Sequence, residues 1–174
     1  EALRNGKPLQ YVLGNVNFHG INFYVNKNVL IPRFETEELV ENTINNIQKY
    51  FTNSVDILDL CTGSGVIGLT LENKISTNSV DLSDISSEAL EVTHKNCELL
   101  NSKANIIQSD LFESIPNKKY DVIISNPPYI REDEEIEDIV RNNEPHIALF
   151  AKDNGLEFYK KILSEIKEYL KEKS

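Results

Sequence analysis

The four residues Asn126-Pro127-Pro128-Tyr129 have a composition that suits the binding of a flat nitrogen-containing group. They follow the apolar run 120–125, which predicts a buried parallel strand. Neither proline has an N–H, and each restricts the residue before it, so the segment is rigid, extended and rich in unpaired acceptors. The Asn126 side-chain oxygen and the Pro127 carbonyl can each accept one N–H, while Tyr129 stacks on the plane. A turn that only ends the strand is the structural alternative.

A glycine-rich turn follows another predicted strand. Two glycines allow its backbone to approach a ligand closely, and the helix that begins here has free N–H groups at its N-terminus. A lone glycine-rich turn is weak evidence, so a purely structural turn remains open. The strand end and the turn contain Asp59, Cys61, Thr62, Gly63, Ser64 and Gly65, of which Gly63 and Gly65 permit the close approach.

Acidic residues end the next two predicted strands. A carboxylate at Asp84 can accept both hydroxyl hydrogens of a ribose, as in nucleoside-binding α/β domains. Asp81 is an alternative, but Asp84 is closer to the strand end. After the following strand, Asp110 can take an adenine amino group and Leu111 can cover the ring. Each acidic residue can instead be an ordinary helix cap.

Strands and helices alternate through the elements that must position these residues. This alternation predicts a Rossmann-like, doubly wound, mostly parallel sheet whose ligands bind beyond the carboxyl ends of its strands. Ahead of it, alternating apolar residues around His19-Gly20 predict a β-hairpin, and Thr36 is the predicted N-cap of a helix. The predicted strands are 55–60, 79–84, 104–108 and 120–125, and the predicted helices are 65–73, 87–101 and 155–171. We therefore divide the chain into a hairpin segment with its connector, 1–36, and a Rossmann-like domain, 37–174.

Composition restricts the class of protein. The 174 residues are 40% hydrophobic and 26% charged, which is ordinary for a globular domain, and no apolar stretch or signal pattern predicts a membrane segment. Two cysteines without paired spacing favour a reducing, cytoplasmic location. The net charge of −10 disfavours broad nucleic-acid binding. The three histidines lack ligand-like spacing, so no metal site is expected.

Two charged segments leave their roles open. Arg33 and Glu35 are predicted either to form a local ion pair or to line a substrate entrance. The acidic run 131–140 predicts a solvated helix that turns Ile136, Ile139 and Val140 inward. A cover over the site that engages a basic protein partner is the alternative for this run.

Four motifs at the ends of successive strands occur in an order typical of one class of enzyme. They are Asp59-x-Cys61-Thr62-Gly63-Ser64-Gly65, Asp84-Ile85-Ser86, Asp110-Leu111-Phe112 and Asn126-Pro127-Pro128-Tyr129. With them, the chain resembles the S-adenosylmethionine-dependent methyltransferases that act on a planar nitrogen. Segments 8–14, 18–20, 29–37, 144–150 and 153–159 are further similar to the release-factor glutamine methyltransferases, the HemK/PrmC family.

The resemblance implies a class I methyltransferase fold, S-adenosylmethionine as cofactor and the glutamine of a Gly-Gly-Gln motif in a peptide chain release factor as substrate. It assigns catalysis to Asn126, Pro127 and Tyr129, and substrate binding to these with Pro128, Arg33 and Glu35. It assigns cofactor binding to Asn126 and to residues of the three other motifs, namely Asp59, Cys61, Thr62, Gly63, Ser64, Gly65, Asp84, Asp110 and Leu111. Two rival functions remain: an adenine-N6 methyltransferase of DNA or RNA, whose target presents the same planar N–H groups, and a truncated, inert cofactor-binding domain.

The chain departs from the family at two positions and at both ends. Family members usually have Gly at the position of Cys61 and Pro at that of Phe34. Cys61 is expected to be tolerated if its φ is negative. The resemblance also implies a helical domain before residue 1 and further strands after residue 174. The sheet is therefore expected to lack its C-terminal strands.

Overall fold

The computed structural model describes residues 6–172. Its N-terminal part is a short helix followed by a hairpin. Helix α1 is Leu9–Leu13, and strands β1 (Asn15–Phe18) and β2 (Ile21–Tyr24) pair antiparallel. The turn residues His19 and Gly20 have φ of 52° and 79°, the positive values that a two-residue hairpin turn with matching twist requires. The predicted hairpin is confirmed.

Four parallel strands form the main sheet in the order β5-β4-β3-β6. They are β3 (Val55–Leu60), β4 (Thr77–Asp84), β5 (Asn105–Gln108) and β6 (Val122–Ser125). The strand order reverses at β3, because the chain moves outward through β4 and β5 and then returns to the other side as β6. The predicted doubly wound parallel sheet is confirmed, and its reversal point is where such sheets bind ligands.

Helices cover both faces of this sheet. They are α2 (Phe34–Tyr50), α3 (Val66–Lys74), α4 (Ser87–Leu100), α5 (Asp138–Asn143) and α6 (Glu157–Glu165). Successive residues of β3 point to opposite faces, so Ile57 joins the core beneath α2 and α3 while Leu58 joins the core beneath α6. Within residues 6–172, no helix combines the length and apolar character needed to cross a bilayer.

Helix α2 begins earlier than the sequence predicts. Its N-cap is Arg33, whose φ of −98° and ψ of 154° are extended, and Thr36 lies buried within the first turn. The prediction of Thr36 as N-cap is therefore wrong. Its side chain turns inward and contacts the Asn126 side chain instead of capping the helix. The predicted division between residues 36 and 37 falls within this helix, and that division remains a prediction.

The last helix is shorter than the predicted range 155–171. Helix α6 covers Glu157–Glu165, a 3₁₀ turn follows, and Leu170 then forms a parallel β-bridge with Tyr120. Tyr120 donates its N–H to the Tyr169 carbonyl over 2.8 Å and accepts the Lys171 N–H over 3.0 Å. The helix prediction fails here because the backbone groups beside Tyr120 need partners, and extended chain supplies them.

The acidic run 131–140 is mostly not helical. Only its last residues belong to α5, Asp138–Asn143, and the preceding residues form turns. Ile136 and Val140 are half-buried as predicted, whereas Ile139 is exposed. Like charges four residues apart, such as Glu134 and Asp138, oppose a longer helix, so the prediction of one continuous helical face is wrong.

Candidate functional site

The carboxyl ends of the parallel strands lie side by side. Leu60 pairs with Ser83 on one side and Ser125 on the other, and Asp84 pairs with Gln108. The residues that follow each strand therefore surround one space, a cavity of about 290 Å³. The predicted site residues that line it are Cys61, Thr62, Gly63, Ser64, Asp84, Asp110, Leu111, Asn126 and Pro128.

Backbone hydrogen bonds help to hold the glycine-rich turn. Thr62 donates its N–H to the Ser83 carbonyl over 2.9 Å, and Gly65 donates to the Thr62 carbonyl over 2.9 Å. Gly65 has φ of 83°, and a Cβ there would lie 3.0 Å from Leu69. A side chain is unfavourable at this position on both grounds. Gly65 thus shapes the turn without lining the cavity.

Asp84 has the position predicted for it. One carboxylate oxygen accepts the Gly63 N–H over 2.9 Å and the other accepts the Ser86 N–H over 3.0 Å. Burial raises the pKa of this carboxyl. The side chain therefore fixes the glycine-rich turn and also faces the cavity. Asp81 is buried elsewhere and accepts a 2.6 Å hydrogen bond from Tyr120, so Asp84 is the better candidate.

Asp59 lies behind the turn and does not line the cavity. Its Oδ2 accepts the Thr62 hydroxyl over 2.7 Å and the Gly68 N–H over 3.0 Å, while its Oδ1 is buried without a partner among residues 6–172. Burial raises the pKa of Asp59 to about 7. This differs from the expectation of a direct cofactor ligand, because in this arrangement the carboxyl supports the turn.

Cys61 has a backbone conformation that L-residues rarely adopt. Its φ is 58°. From the sequence, Cys is expected to be tolerated in place of Gly only if φ is negative, and that condition is not met. The resulting strain is of order 1–2 kcal/mol. Its thiol lines the cavity, and burial raises the pKa of that thiol to about 12, which keeps it neutral.

The Asn126 segment is more loosely held. Asn126 Nδ2 lies 3.4 Å from the Thr36 hydroxyl, which is a long hydrogen bond. Among residues 6–172, neither the Asn126 Oδ1 nor the Pro127 carbonyl has a hydrogen-bond donor. Pro127 is buried outside the cavity wall, and Tyr129 is 56% exposed beside it. The two predicted acceptors are thus free, while Tyr129 does not cover the cavity.

Arg33 pairs with a residue far along the chain. Its Nη2 lies 2.5 Å from Oε1 of the buried Glu144, whose Oε2 accepts the Ile31 N–H over 2.9 Å. The predicted Arg33–Glu35 ion pair is therefore wrong, and Glu35 is exposed. Neither residue lines the cavity. Their alternative role at a substrate entrance stays a prediction.

Part of the cavity wall was missed by sequence reasoning. It comes from the segment before α2, from the chain between α5 and α6, and from the first turns of these two helices, α2 and α6, where single residues have no chemical signature of their own. The Arg33–Glu144 pair joins the first two of these segments. The missed lining residues include Asn28, Val29, Leu30, Pro32, Thr36, Ile147, Ala148, Phe158 and Lys161.

The cavity suits the cofactor that the resemblance implies. A carboxylate at Asp84 faces a space where a ribose can be bound. Apart from the residues adjacent to Gly63 in the chain, no atom lies within 4 Å of the position where a Cβ on Gly63 would stand. Apolar residues such as Leu111 and Val29 line the same space, as an adenine ring requires. The described part of the chain contains no cluster of His, Cys, Asp and Glu suited to a metal.

The family model and the curated relatives that the chain matches are all named as methyltransferases. Residues 36–145 match the family described as "Methyltransferase small domain". The Release factor glutamine methyltransferase of Streptococcus pneumoniae is 44% identical over 174 residues, covering 99% of this chain and 61% of that protein. The Bacillus subtilis protein of the same name is 41% identical over 179 residues, covering 99% and 62%. The chain thus spans about three fifths of the length of these relatives.

Solved structures share the fold. A methyltransferase from Pyrococcus furiosus has a TM-score of 0.62 at 17% identity, covering 98% of this chain and 75% of that one. The T. thermophilus 16S rRNA methyltransferase RsmC, in complex with AdoMet and guanosine, has a TM-score of 0.57 at 20% identity, covering 72% and 35%. At these identities the likeness establishes the architecture alone.

Proposed function

Because the chain belongs to the methyltransferase small domain family, we propose that it transfers a methyl group from S-adenosylmethionine to a glutamine side-chain amide of a protein. The substrate we propose is a peptide chain release factor, methylated in the cytoplasm during the production of termination factors. The relatives named release factor glutamine methyltransferase support this choice of substrate. The observation that carries it is the meeting of Asp84, Gly63 and Asn126 in one cavity.

The residues divide into two groups around this cavity. Asp84, Asp110 and Leu111 would hold the nucleoside part of the cofactor, and the turn from Cys61 to Gly65 its methionine part. Asp59 supports the turn from behind. When bound, S-adenosylmethionine supplies an electrophilic methyl group on a sulfonium.

The free acceptors of the Asn126 segment orient the substrate. Asn126 Oδ1 and the Pro127 carbonyl each accept one N–H of the glutamine amide, which fixes its nitrogen in one plane. Tyr129 packs on that plane once the substrate has arrived, and Pro128 closes the wall behind it. Positioning then supplies most of the rate enhancement, and no strong base is needed because the nitrogen can lose its proton after transfer.

The charge of the chain weighs against nucleic acid as the substrate. An adenine amino group has the same planar N–H pair, but a chain with net charge −10 repels a phosphate backbone unless a basic groove compensates. Arg33 is paired with Glu144, and Lys161, which lines the cavity, is paired with Glu157. Protein is therefore the substrate class that we favour.

Labelled methyl transfer distinguishes the candidate functions. The chain is incubated with methyl-labelled S-adenosylmethionine and a release factor, the same factor with its target glutamine replaced by alanine, or duplex DNA. We expect label only in the unaltered factor. Labelled DNA would instead identify an adenine methyltransferase. Calorimetric binding of S-adenosylmethionine without any transfer would identify an inert cofactor-binding domain.

A further inference from the structure

Two buried side chains of α4 hold successive carbonyl groups of the glycine-rich turn. The Thr93 hydroxyl lies 2.7 Å from the Gly63 carbonyl, and Asn96 Nδ2 lies 2.8 Å from the Ser64 carbonyl. Both side chains belong to residues with 0% exposure, and neither lines the cavity. The two carbonyls therefore point into the protein, toward α4.

This anchoring fixes the opposite side of the same peptide groups. In a trans peptide the N–H points opposite to the preceding carbonyl, so the Ser64 N–H points away from α4. The N–H groups of Thr62, Gly63 and Gly65 have partners. The Ser64 N–H has none within residues 6–172, and Ser64 lines the cavity. It is an uncommitted donor at the ligand site.

Asn96 also binds the N-terminal hairpin. Its Oδ1 accepts the Tyr24 N–H over 2.7 Å, and its Nδ2 donates to the Tyr24 carbonyl over 3.0 Å as well as to Ser64. One carboxamide thus uses both of its N–H groups and its oxygen. Asp lacks the donors and Gln is longer by a methylene, so Asn suits this position. The hairpin and the turn are joined through a single side chain.

We propose that Thr93 and Asn96 are positioning residues for the cofactor, and that Asn96 couples the hairpin to the cofactor-binding turn. This inference rests on the proposed function for its ligand. By holding the carbonyls of Gly63 and Ser64, the two side chains keep acceptors out of the cavity and present the Ser64 N–H to an anionic group. The carboxylate of S-adenosylmethionine is the group of that kind in the cofactor.

Calorimetric titration with S-adenosylmethionine tests the role of Thr93. Thr93→Val keeps the shape but removes the hydroxyl, and it should weaken binding roughly tenfold, the equivalent of one hydrogen bond. Thr93→Ser should restore binding, because it keeps the hydroxyl. Cys97→Ala is the matched control, since Cys97 is buried on the same helix in the core and away from the cavity. It should lower the Tm without changing the Kd.

Equal cofactor affinity of Thr93→Val and the wild type would overturn the role of Thr93, and so would an equal loss in Cys97→Ala. If the wild type binds no S-adenosylmethionine, the proposed function fails instead. Amide hydrogen exchange of the ligand-free protein then decides the inference. The Gly63 N–H should exchange faster in Thr93→Val than in Thr93→Ser, and identical rates would reject the anchor.

The coupling by Asn96 is tested with Asn96→Asp, which keeps an acceptor for the Tyr24 N–H but has no donors. Hydrogen exchange should accelerate at Gly63 and Gly65 as well as at Tyr24. Acceleration at Tyr24 alone, or no acceleration, would reject the coupling. If this variant does not fold, the wild type decides: S-adenosylmethionine should slow exchange at Tyr24, and an unchanged rate there would reject the coupling equally.

Discussion

The two halves of the cavity differ in how firmly hydrogen bonds hold them. On the side of the glycine-rich turn, Asp84, Thr93 and Asn96 hold the backbone with hydrogen bonds of 2.7–2.9 Å. On the other side, the Asn126 side chain makes a single hydrogen bond within residues 6–172, and it is long at 3.4 Å. Tyr129 is more than half exposed. The first half is assembled in the free protein. The second half presents acceptors that have no partner within the chain described here.

This difference is what a two-substrate reaction requires. A preformed cofactor half loses little conformational freedom on binding, so more of the interaction energy appears as affinity. A looser substrate half can tighten when the target arrives, and catalytic hydrogen bonds are often long before that. Damage to the first half should therefore reduce cofactor affinity, and damage to the second should reduce turnover.

The largest effect is expected for Asn126→Ala, which should change the rate of methyl transfer. A change in cofactor affinity instead would contradict the division of roles between the two halves. Loss of the Oδ1 acceptor should lower kcat about a hundredfold or more, by analogy with removing one group that stabilises a transition state. Cofactor Kd from calorimetry should change little. Asn78→Ala, at the exposed opposite end of β4, is the control and should behave as the wild type in methyl-transfer assays.

Asp84→Ala probes the preformed half. It removes a carboxylate that fixes the Gly63 N–H, and the Kd for S-adenosylmethionine should rise about 10- to 100-fold, the range for a charged hydrogen bond. At saturating cofactor, kcat should be largely retained. Asp138→Ala, on the exposed start of α5, serves as a control of equal charge change. A fall in kcat with unchanged Kd would assign Asp84 to the wrong half.

The raised pKa of Asp59, in the preformed half, makes the stability of the fold depend on pH. Its pKa is about 7 in the fold against an ordinary value of 3.8, so the folded state holds the proton more tightly than the unfolded chain. Its contribution to stability is full below pH of about 4 and is lost as the pH rises through about 7, an effect on the order of a few kcal/mol. Urea unfolding across this range measures it.

Asp59→Asn is the matched variant for this titration. It keeps an acceptor for Thr62 and Gly68 but cannot titrate. The decrease in unfolding free energy between pH 4 and 7 should therefore be smaller in the variant than in the wild type. An identical pH dependence would show that other carboxyl groups cause the decrease.

The smallest effect is expected at Cys61, where the turn begins. Gly adopts a φ of 58° without strain, so Cys61→Gly should raise the free energy of unfolding by ~0.5–1 kcal/mol. Cys61→Ala removes the same thiol but keeps the Cβ, so it should give no gain in urea denaturation. Equal stabilisation by both would attribute the effect to the thiol. Unchanged cofactor affinity in Cys61→Gly would indicate that the anchors determine the shape of this half.

The sequence predicts the elements of the fold better than their ends. The succession of strands and helices along the chain and the place of Asp84 and Asn126 follow from periodicity and from residues at strand ends, which are local features. The N-cap at Thr36 and the length of α6 depend on partners far along the chain, Asn126 and Tyr120. No local rule contains those contacts.

The same reason explains the site residues that were missed. Thr93 and Asn96 are read from sequence as ordinary positions of an amphipathic helix, because their role appears only when α4 packs against the turn and the hairpin. Arg33 has the carboxylate of Glu35 two residues away, yet it pairs with Glu144. An unpaired carboxylate costs more free energy when it is buried, as Glu144 is, than when it is exposed, as Glu35 is.

The ion pair between Arg33 and Glu144 has a consequence for the order of assembly. The partners are separated by 111 positions in the chain, so bringing them together carries the entropic cost of closing a long loop. The segment 28–32 is held over the cavity partly through this pair and through the Ile31 N–H. A growing polypeptide on the ribosome therefore cannot complete the wall of this cavity until residue 144 has left the exit tunnel.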